Sequence, residues 1–291
     1  MSSSVTQEID PVLARKAWAA LEPYHSGVYF SPEAQQKYQE LGADPQHSYF
    51  AARAAPMGPV PAEVVVSTFY NFCPDLVRRA VPAVWEAASP QDYVQARLSG
   101  MDASLRRILG DRVDGPEMRR AAELARTAAE AAADMPEGRP LFAAHAALPW
   151  PEEPHLVLWH AQTLLREFRG DGHIALLVAG GRSGLEAVVL HAATGSVMLK
   201  FLRASRAWPD AEWDAAVERL RAEGLVSEDG GLALTDKGAE HRAELEAATD
   251  RLSAAPYAAL GEEGCKELRT LGKPLGKEVG ADLLPWMRPV K

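Results

Sequence analysis

Imidazole is the side chain best matched to proton transfer or metal ligation near neutral pH. Three of the chain's eight histidines, His160, His173 and His191, sit in apolar sequence inside a single stretch, HLVLWHAQTLLREFRGDGHIALLVAGGRSGLEAVVLHAATG, from His155 to Gly195. So placed, they could polarise an organic ligand, act as general bases, or converge on a metal. Their gaps of thirteen and eighteen residues match neither HxxxH nor HExxH, the spacings that bring two imidazoles to one helix face. A metal is therefore not expected. Ligand contact by His160 with its neighbour Trp159, and by His173 and His191, competes with the ordinary role of a satisfied core histidine or helix cap.

A second constellation lies in the first half. His25, Tyr29 and Phe30, then Tyr49, Phe50 and Arg53, then Phe69, Tyr70, Asn71 and Phe72 occur in three segments separated by Pro and Gly breaks. Together they could line an apolar cavity with a few directed polar groups, the usual make-up of a small-molecule site, or stack as an aromatic core. Arg53 and Asn71 favour the pocket, because a core seldom needs a guanidinium and an amide beside the same aromatics. The expected ligand set is His160, Trp159, His173, His191, Arg53, Tyr70, Asn71 and His25, with no cofactor. Gly170-Asp171-Gly172 and Gly180-Gly181 follow no strand, so they form no dinucleotide or phosphate loop. A nucleophile elbow, a Walker sequence and a paired-cysteine motif are all missing.

The elements that must position these groups read as helices. Pro11–Glu22, Ser31–Leu41 and Asp44–Arg53 follow one another with proline or Ser-Pro starts. Ala62–Phe72 is ambiguous between strand and helix by propensity, and its helical neighbours favour helix. Further helices run from Pro74 through Trp85, from Ser89-Pro90 to about Leu109, and over the Ala- and Glu-rich Pro116–Ala133. A short apolar helix over Leu141–Ala147 precedes Leu148-Pro149-Trp150-Pro151, where a domain junction is expected: an all-helical domain over 1–150, then 151–291. Beyond it, Gly170 should close one helix, Asp171 should cap a second with His173 at its second position, and the Ser183–Glu186 capping box should start a third.

The stretch WPDAEWDAAVERLRAEGLVSEDGGLALT, Trp208 to Thr235, adds a helix with apolar Trp213, Ala216, Val217 and Leu220, a glycine stop at Gly224, and short arms around Glu228-Asp229-Gly230-Gly231 that suit a tight hairpin. This order resembles the winged helix of MarR-type regulators, where the helix enters the DNA major groove and the hairpin is the wing. More broadly, the His155–Gly195 stretch and YFAARAAPMGPVPAEVVVSTFYNF (49–72) resemble an actinobacterial helix-turn-helix-like family of unknown function. The resemblance implies a mainly α fold, a helical N-terminal domain followed by a winged helix-turn-helix domain with one small β-hairpin, and carries no catalytic residues.

Charge argues against DNA as a partner. The helix opens with Asp210, Glu212 and Asp214, and Pro209–Arg251 holds five Lys or Arg against twelve Asp or Glu, whereas phosphate contacts dominate DNA affinity. Lys200, Arg203 and Arg206 form the local basic stripe, best read as partners for Asp210 and Glu212. The whole chain of 291 residues carries a net charge of −9, which attracts neither nucleic acid nor anionic membrane. A polar Met1–Asp10, no apolar run near the roughly 20 residues of a span, and two distant cysteines point to the cytoplasm. The composite expectation is a small-molecule-binding protein: a sensor, a sequestering protein or a ligand-responsive regulator on a winged helix that has lost its DNA charge pattern. A homodimer stays open. The alternatives are a MarR-like DNA-binding regulator and an enzyme using a histidine as general base.

Overall fold

The computed structural model describes residues 8–227 and 231–284. Within them the chain forms fourteen α-helices: α1 (Pro11–Ser26), α2 (Pro32–Glu40), α3 (Ser48–Ala54), α4 (Ala62–Phe69), α5 (Pro74–Ala87), α6 (Pro90–Leu109), α7 (Pro116–Ala133), α8 (Pro140–Ala146), α9 (Pro154–Ala179), α10 (Gly184–Ala192), α11 (Leu199–Arg206), α12 (Asp210–Ala222), α13 (Asp236–Ala254) and α14 (Gly261–Leu283). Proline starts several of them, where its missing N–H has no helical partner to lose. Local side chains close the remaining donors. Asp10 accepts from Val12 N at 2.9 Å and Ser31 from Ala34 N at 2.9 Å, and both halves of a capping box are made at Ser89/Asp92 and Ser183/Glu186.

The chain divides into two compact units that interleave in sequence. The first takes residues 1–59, 84–172 and 250–291, and the second 60–83 and 173–249. The contacts thus divide elsewhere than at the Pro151 punctuation. In the first unit α1 packs on α14 along a glycine seam: a Cβ on Gly276 would lie 2.1 Å from the carbonyl oxygen of Ala20, and one on Gly272 2.6 Å from Leu21. Leu21, Tyr24, Met101, Leu105, Phe142 and Leu158 are among its fully buried side chains. The second unit has a separate core in which Leu185, Val189 and Leu190 of α10 and Leu202 of α11 meet Trp213, Ala216, Val217 and Leu220 of α12. Those four α12 positions are the apolar face that its helical spacing predicts.

Three local expectations are corrected. The helix over Pro11–Glu22 continues through Pro23 to Ser26. The proline costs one backbone hydrogen bond, while Leu21, Tyr24 and His25 stay buried on either side of it. The helix break at Gly170 and the cap at Asp171 do not form either, since α9 is a single helix of 26 residues. Asp171 is committed elsewhere: its Oδ2 accepts from Leu141 N at 3.0 Å and Phe142 N at 2.9 Å, capping α8 instead. Gly172 makes room for Arg139, whose Nη1 would lie 2.6 Å from a Cβ there and which donates to the Phe168 carbonyl.

The third correction is the hairpin. Among the described residues no strand forms, and the two arms meet at one isolated antiparallel bridge, Val226 to Leu234. Ser227 N bonds to Ala233 O at 2.9 Å and Thr235 N to Leu225 O at 3.1 Å. The ladder stops there because Leu225 N turns back to Leu220 O to close α12 and Leu234 N bonds to Ala193 O. The presumed tip residues Glu228–Gly230 lie outside the described residues. No single helix among the described residues is long and apolar enough to cross a membrane.

Candidate functional site

On α1 and the short turn that follows it, Trp18, Glu22, His25 and Tyr29 recur at i, i+4, i+7 and i+11, one face of a helix. On α9, Trp159, Gln162, Thr163, Arg166, Glu167 and Arg169 share a face by the same periodicity. The two faces meet in antiparallel register inside the first unit. Arg169 covers the Trp18 ring at 4.8 Å, Glu22 lies within electrostatic reach of Arg166, His25 Nδ1 is 3.0 Å from Thr163 Oγ1, and Trp159 Nε1 donates to His25 O at 3.4 Å. The result is a polar seam running through the interior of the unit.

Hydrogen bonding along the seam assigns protonation. Thr163 Oγ1 gives its proton to Trp159 O at 3.0 Å, so it accepts from His25 Nδ1–H. That leaves His25 Nε2 to accept from Tyr29 OH at 3.4 Å. Burial, reinforced by Arg166 and Arg97, holds His25 well below the usual imidazole range. The same forces, burial and then Arg97, keep His145 neutral. His160, edge-on to the Trp150 ring at 4.8 Å, is pushed down to about 4 by burial and the cations Arg97 and Arg126.

Arg53 forms a bidentate pair with Glu167, Nε to Oε1 at 3.1 Å and Nη2 to Oε2 at 2.8 Å, while its Nη1 donates to Tyr49 OH at 3.2 Å. Arg166 adds a third bond to Glu167 at 2.7 Å. Burial alone would raise the Glu167 pKa, but Arg166 and Arg53 outweigh it and keep the carboxylate ionised. Glu22 goes the other way. Burial dominates there and pushes it up to about 7. Arg97, only 4% exposed, lies over the Trp159 ring at 4.9 Å and the Tyr29 ring at 5.9 Å, with Nη1 near Ala52 O and His145 Nε2. With Glu22 protonated, three guanidinium groups face one carboxylate.

Several seam atoms are buried with no protein partner: Arg97 Nε and Nη2, both amide atoms of Gln162, His160 Nε2 and Glu22 Oε2. At the far end, Trp18 Nε1 and Tyr257 OH are also unpartnered, and both side chains line a cavity of about 10 Å³ beside Arg169 and Asp250, room for one water-sized particle. Each such group costs roughly 1–3 kcal/mol unless something satisfies it.

Of the residues singled out in the sequence, the first unit thus gathers His25, Arg53, Trp159 and His160. Of the three aromatic segments, the first two meet there, with the Tyr29 and Tyr49 rings 5.0 Å apart. Tyr70, Asn71, His173 and His191 belong to the second unit. His173 lies inside α9 rather than at a helix start, its Nδ1 2.9 Å from Thr249 Oγ1. His191, near His173, is lowered to about 4 by burial and the cations Arg242 and Arg206. Tyr70 and Asn71 brace the start of α10. Tyr70 takes a left-handed φ of 58°, its hydroxyl donates to the Arg182 carbonyl, and its own carbonyl sits where a Cβ on Gly184 would be. Asn71 O accepts from Trp208 Nε1 at 3.0 Å. Among the described residues no group of three or more His, Cys, Asp or Glu side chains is arranged to hold a metal ion.

Arg97, Gln162, Arg166, Glu167, His145 and Glu22 are absent from the sequence-derived set. Arg97 carried a readable signal, since it shares a helical face with the apolar Tyr93 and Met101 of α6. In the second unit several arginines around α12 are engaged. Arg203 pairs with Asp210 at 2.5 Å and lies over Trp213 at 4.9 Å, Arg219 pairs with Glu186 at 3.0 Å and Arg221 with Glu218 at 2.6 Å. Arg206 lies over Phe72 at 4.3 Å.

A helix-turn-helix family model matches residues 14–285, so the chain belongs to that family. No curated protein and no solved structure matches it.

Proposed function

We propose that this helix-turn-helix family member is a small-molecule-binding protein, a sensor, sequestering protein or ligand-responsive regulator, in which the region of α10 to α12 has lost the charge pattern of a DNA reader. The observation that carries the reading is the buried seam between α1 and α9. Its unpartnered Arg97, Gln162 and His160 atoms exceed what a core retains for its own stability, because an apolar replacement would avoid their desolvation cost. Directed polar atoms among Trp159, Tyr29 and Tyr49 are the chemistry of a ligand site. His160 and His25 remain in the ligand set with Arg53 and Trp159. The test is native mass spectrometry of the purified chain. A retained molecule of defined mass, released by denaturation and reduced by Gln162→Leu, is the expected result, and a chain that carries nothing and is stabilised by no member of a broad metabolite library would refute the reading.

Family membership favours a second reading, a DNA-binding regulator. Retardation of duplex DNA that weakens steeply with added salt would select it over the first.

A further inference from the structure

The side-on edge of a guanidinium, Nε with Nη2, presents two parallel N–H donors whose spacing matches the two oxygens of a carboxylate. This chain uses that edge repeatedly. Arg53 presents it to Glu167 at 3.1 and 2.8 Å, Arg78 to Glu63 at 2.8 and 3.3 Å, and Arg120 to Glu267 at 2.8 and 2.8 Å. In Arg97 the same two atoms are buried and have no protein partner, while its remaining nitrogen Nη1 is engaged by Ala52 O and His145 Nε2. The rings of Trp159 and Tyr29 hold the guanidinium plane in place. We propose that Arg97 is the carboxylate-receiving residue of the seam, and that the ligand is a small organic acid whose carboxylate takes both of these donors.

Three further observations fit an acid better than a neutral molecule. Arg53, Arg97 and the part-exposed Arg166 surround Glu167, which is held ionised, and Glu22, which at about 7 is only half ionised at neutral pH, and this surplus of positive charge favours an anion. His25 and His145, kept neutral by burial and the nearby guanidinium groups, add no positive charge of their own, and no imidazole can supply the negative charge that Arg97 lacks. Gln162, 1% exposed with both amide atoms unpartnered, offers a donor and an acceptor for a second polar group on the same molecule.

This inference rests on the small-molecule reading, and its test separates the two. The full chain is titrated with sodium acetate, benzoate and succinate, and with neutral benzamide, at matched ionic strength, following the thermal midpoint and the heat of binding. At least one carboxylate is expected to bind and stabilise, with benzamide at least tenfold weaker than benzoate. Arg97→Lys keeps the charge but loses the fork and should weaken carboxylate binding at least tenfold, Arg97→Met should abolish it, and Arg120→Ala, on the surface, should leave it unchanged. Should the Arg97 variants fail to fold, a crystal structure of the wild-type chain with benzoate decides, expected to place both carboxylate oxygens within hydrogen-bond distance of Arg97 Nε and Nη2. Tight binding of a neutral molecule in the seam, indifferent to Arg97→Lys, would overturn the carboxylate while sparing the binding reading. Silence from all three acids, with ordered water on the Arg97 fork, would overturn the carboxylate proposal and leave the small-molecule reading to the mass-spectrometric test above.

Discussion

Glu22 and Glu167 share one seam and are drawn in opposite directions. Glu167 receives direct bonds from Arg53 and Arg166, and that attraction outweighs its burial, whereas Glu22 has a buried oxygen with no donor and burial lifts it from 4.5 to about 7. The folded chain therefore keeps the Glu22 proton between pH 4.5 and about 7 while the unfolded chain releases it. The stabilisation this confers is complete below the unfolded value and fades as pH rises through the folded one. Glu22→Gln removes the titration without removing the shape. We expect the variant to gain on the wild type as pH rises, with the difference in unfolding free energy between pH 5 and pH 8 changing by on the order of 3 kcal/mol in the variant's favour. Urea unfolding of both proteins across that range checks it, and parallel curves would mean that Glu22 stays ionised in the fold. Neighbouring His25 and His145 also respond to acid, but equally in both proteins, so the difference isolates Glu22.

At the scale of elements, Asp171 shows how a residue legible in type can be misleading in role. An aspartate between two glycines is the ordinary mark of a helix stop and restart, yet its carboxylate caps α8, thirty residues earlier in the chain, and α9 runs on through both glycines. Asp171→Ala should cost about 1–2 kcal/mol, the range for a lost N-cap, and should speed hydrogen exchange at Leu141 and Phe142 while leaving the Gly170–His173 segment protected. Faster exchange at Gly170–His173 instead would show that the aspartate holds α9. The same contrast governs the rest of the reading. Helices with proline starts, the Ser183–Glu186 box and the apolar face of α12 were legible because local signals specify them. The hairpin was not, because Leu225 and Leu234 spend their N–H groups on α12 and on Ala193. Nor was the seam. His25, Arg53, Trp159 and His160 stand out by type and Arg97 by the apolar neighbours on its face of α6, but Gln162 and Arg166 of α9 look like ordinary helix residues until α9 packs on α1. Their register across α1 and α9 is a tertiary fact that no spacing within either segment records.

For the whole molecule, belonging to a helix-turn-helix family supplies a scaffold on which DNA readers are often built, and electrostatics decides whether this one reads DNA. The net charge is −9. Asp210, Glu212 and Asp214 are exposed on α12, where each would meet a phosphate with a repulsion on the order of 1 kcal/mol at 4 Å even in water, and the binding would forgo the counterion release that ordinarily drives it. Three arginines that could compensate are engaged, Arg203 by Asp210 and Trp213, Arg219 by Glu186 and Arg221 by Glu218. We therefore expect no retardation of duplex DNA at low salt with protein up to about 10 µM, concentrations at which a non-specific binder with a dissociation constant of roughly 10⁻⁴–10⁻⁶ M at physiological salt would already register once salt is lowered. The triple variant Asp210→Asn, Glu212→Gln, Asp214→Asn separates charge from shape. If these acids are the main barrier, the variant should gain weak, salt-sensitive retardation while the wild type shows none, and its response to ligands of the first unit should be unchanged. Wild-type retardation with a steep salt slope would instead establish that the protein meets phosphate despite these acids, and would move it to the DNA-binding reading.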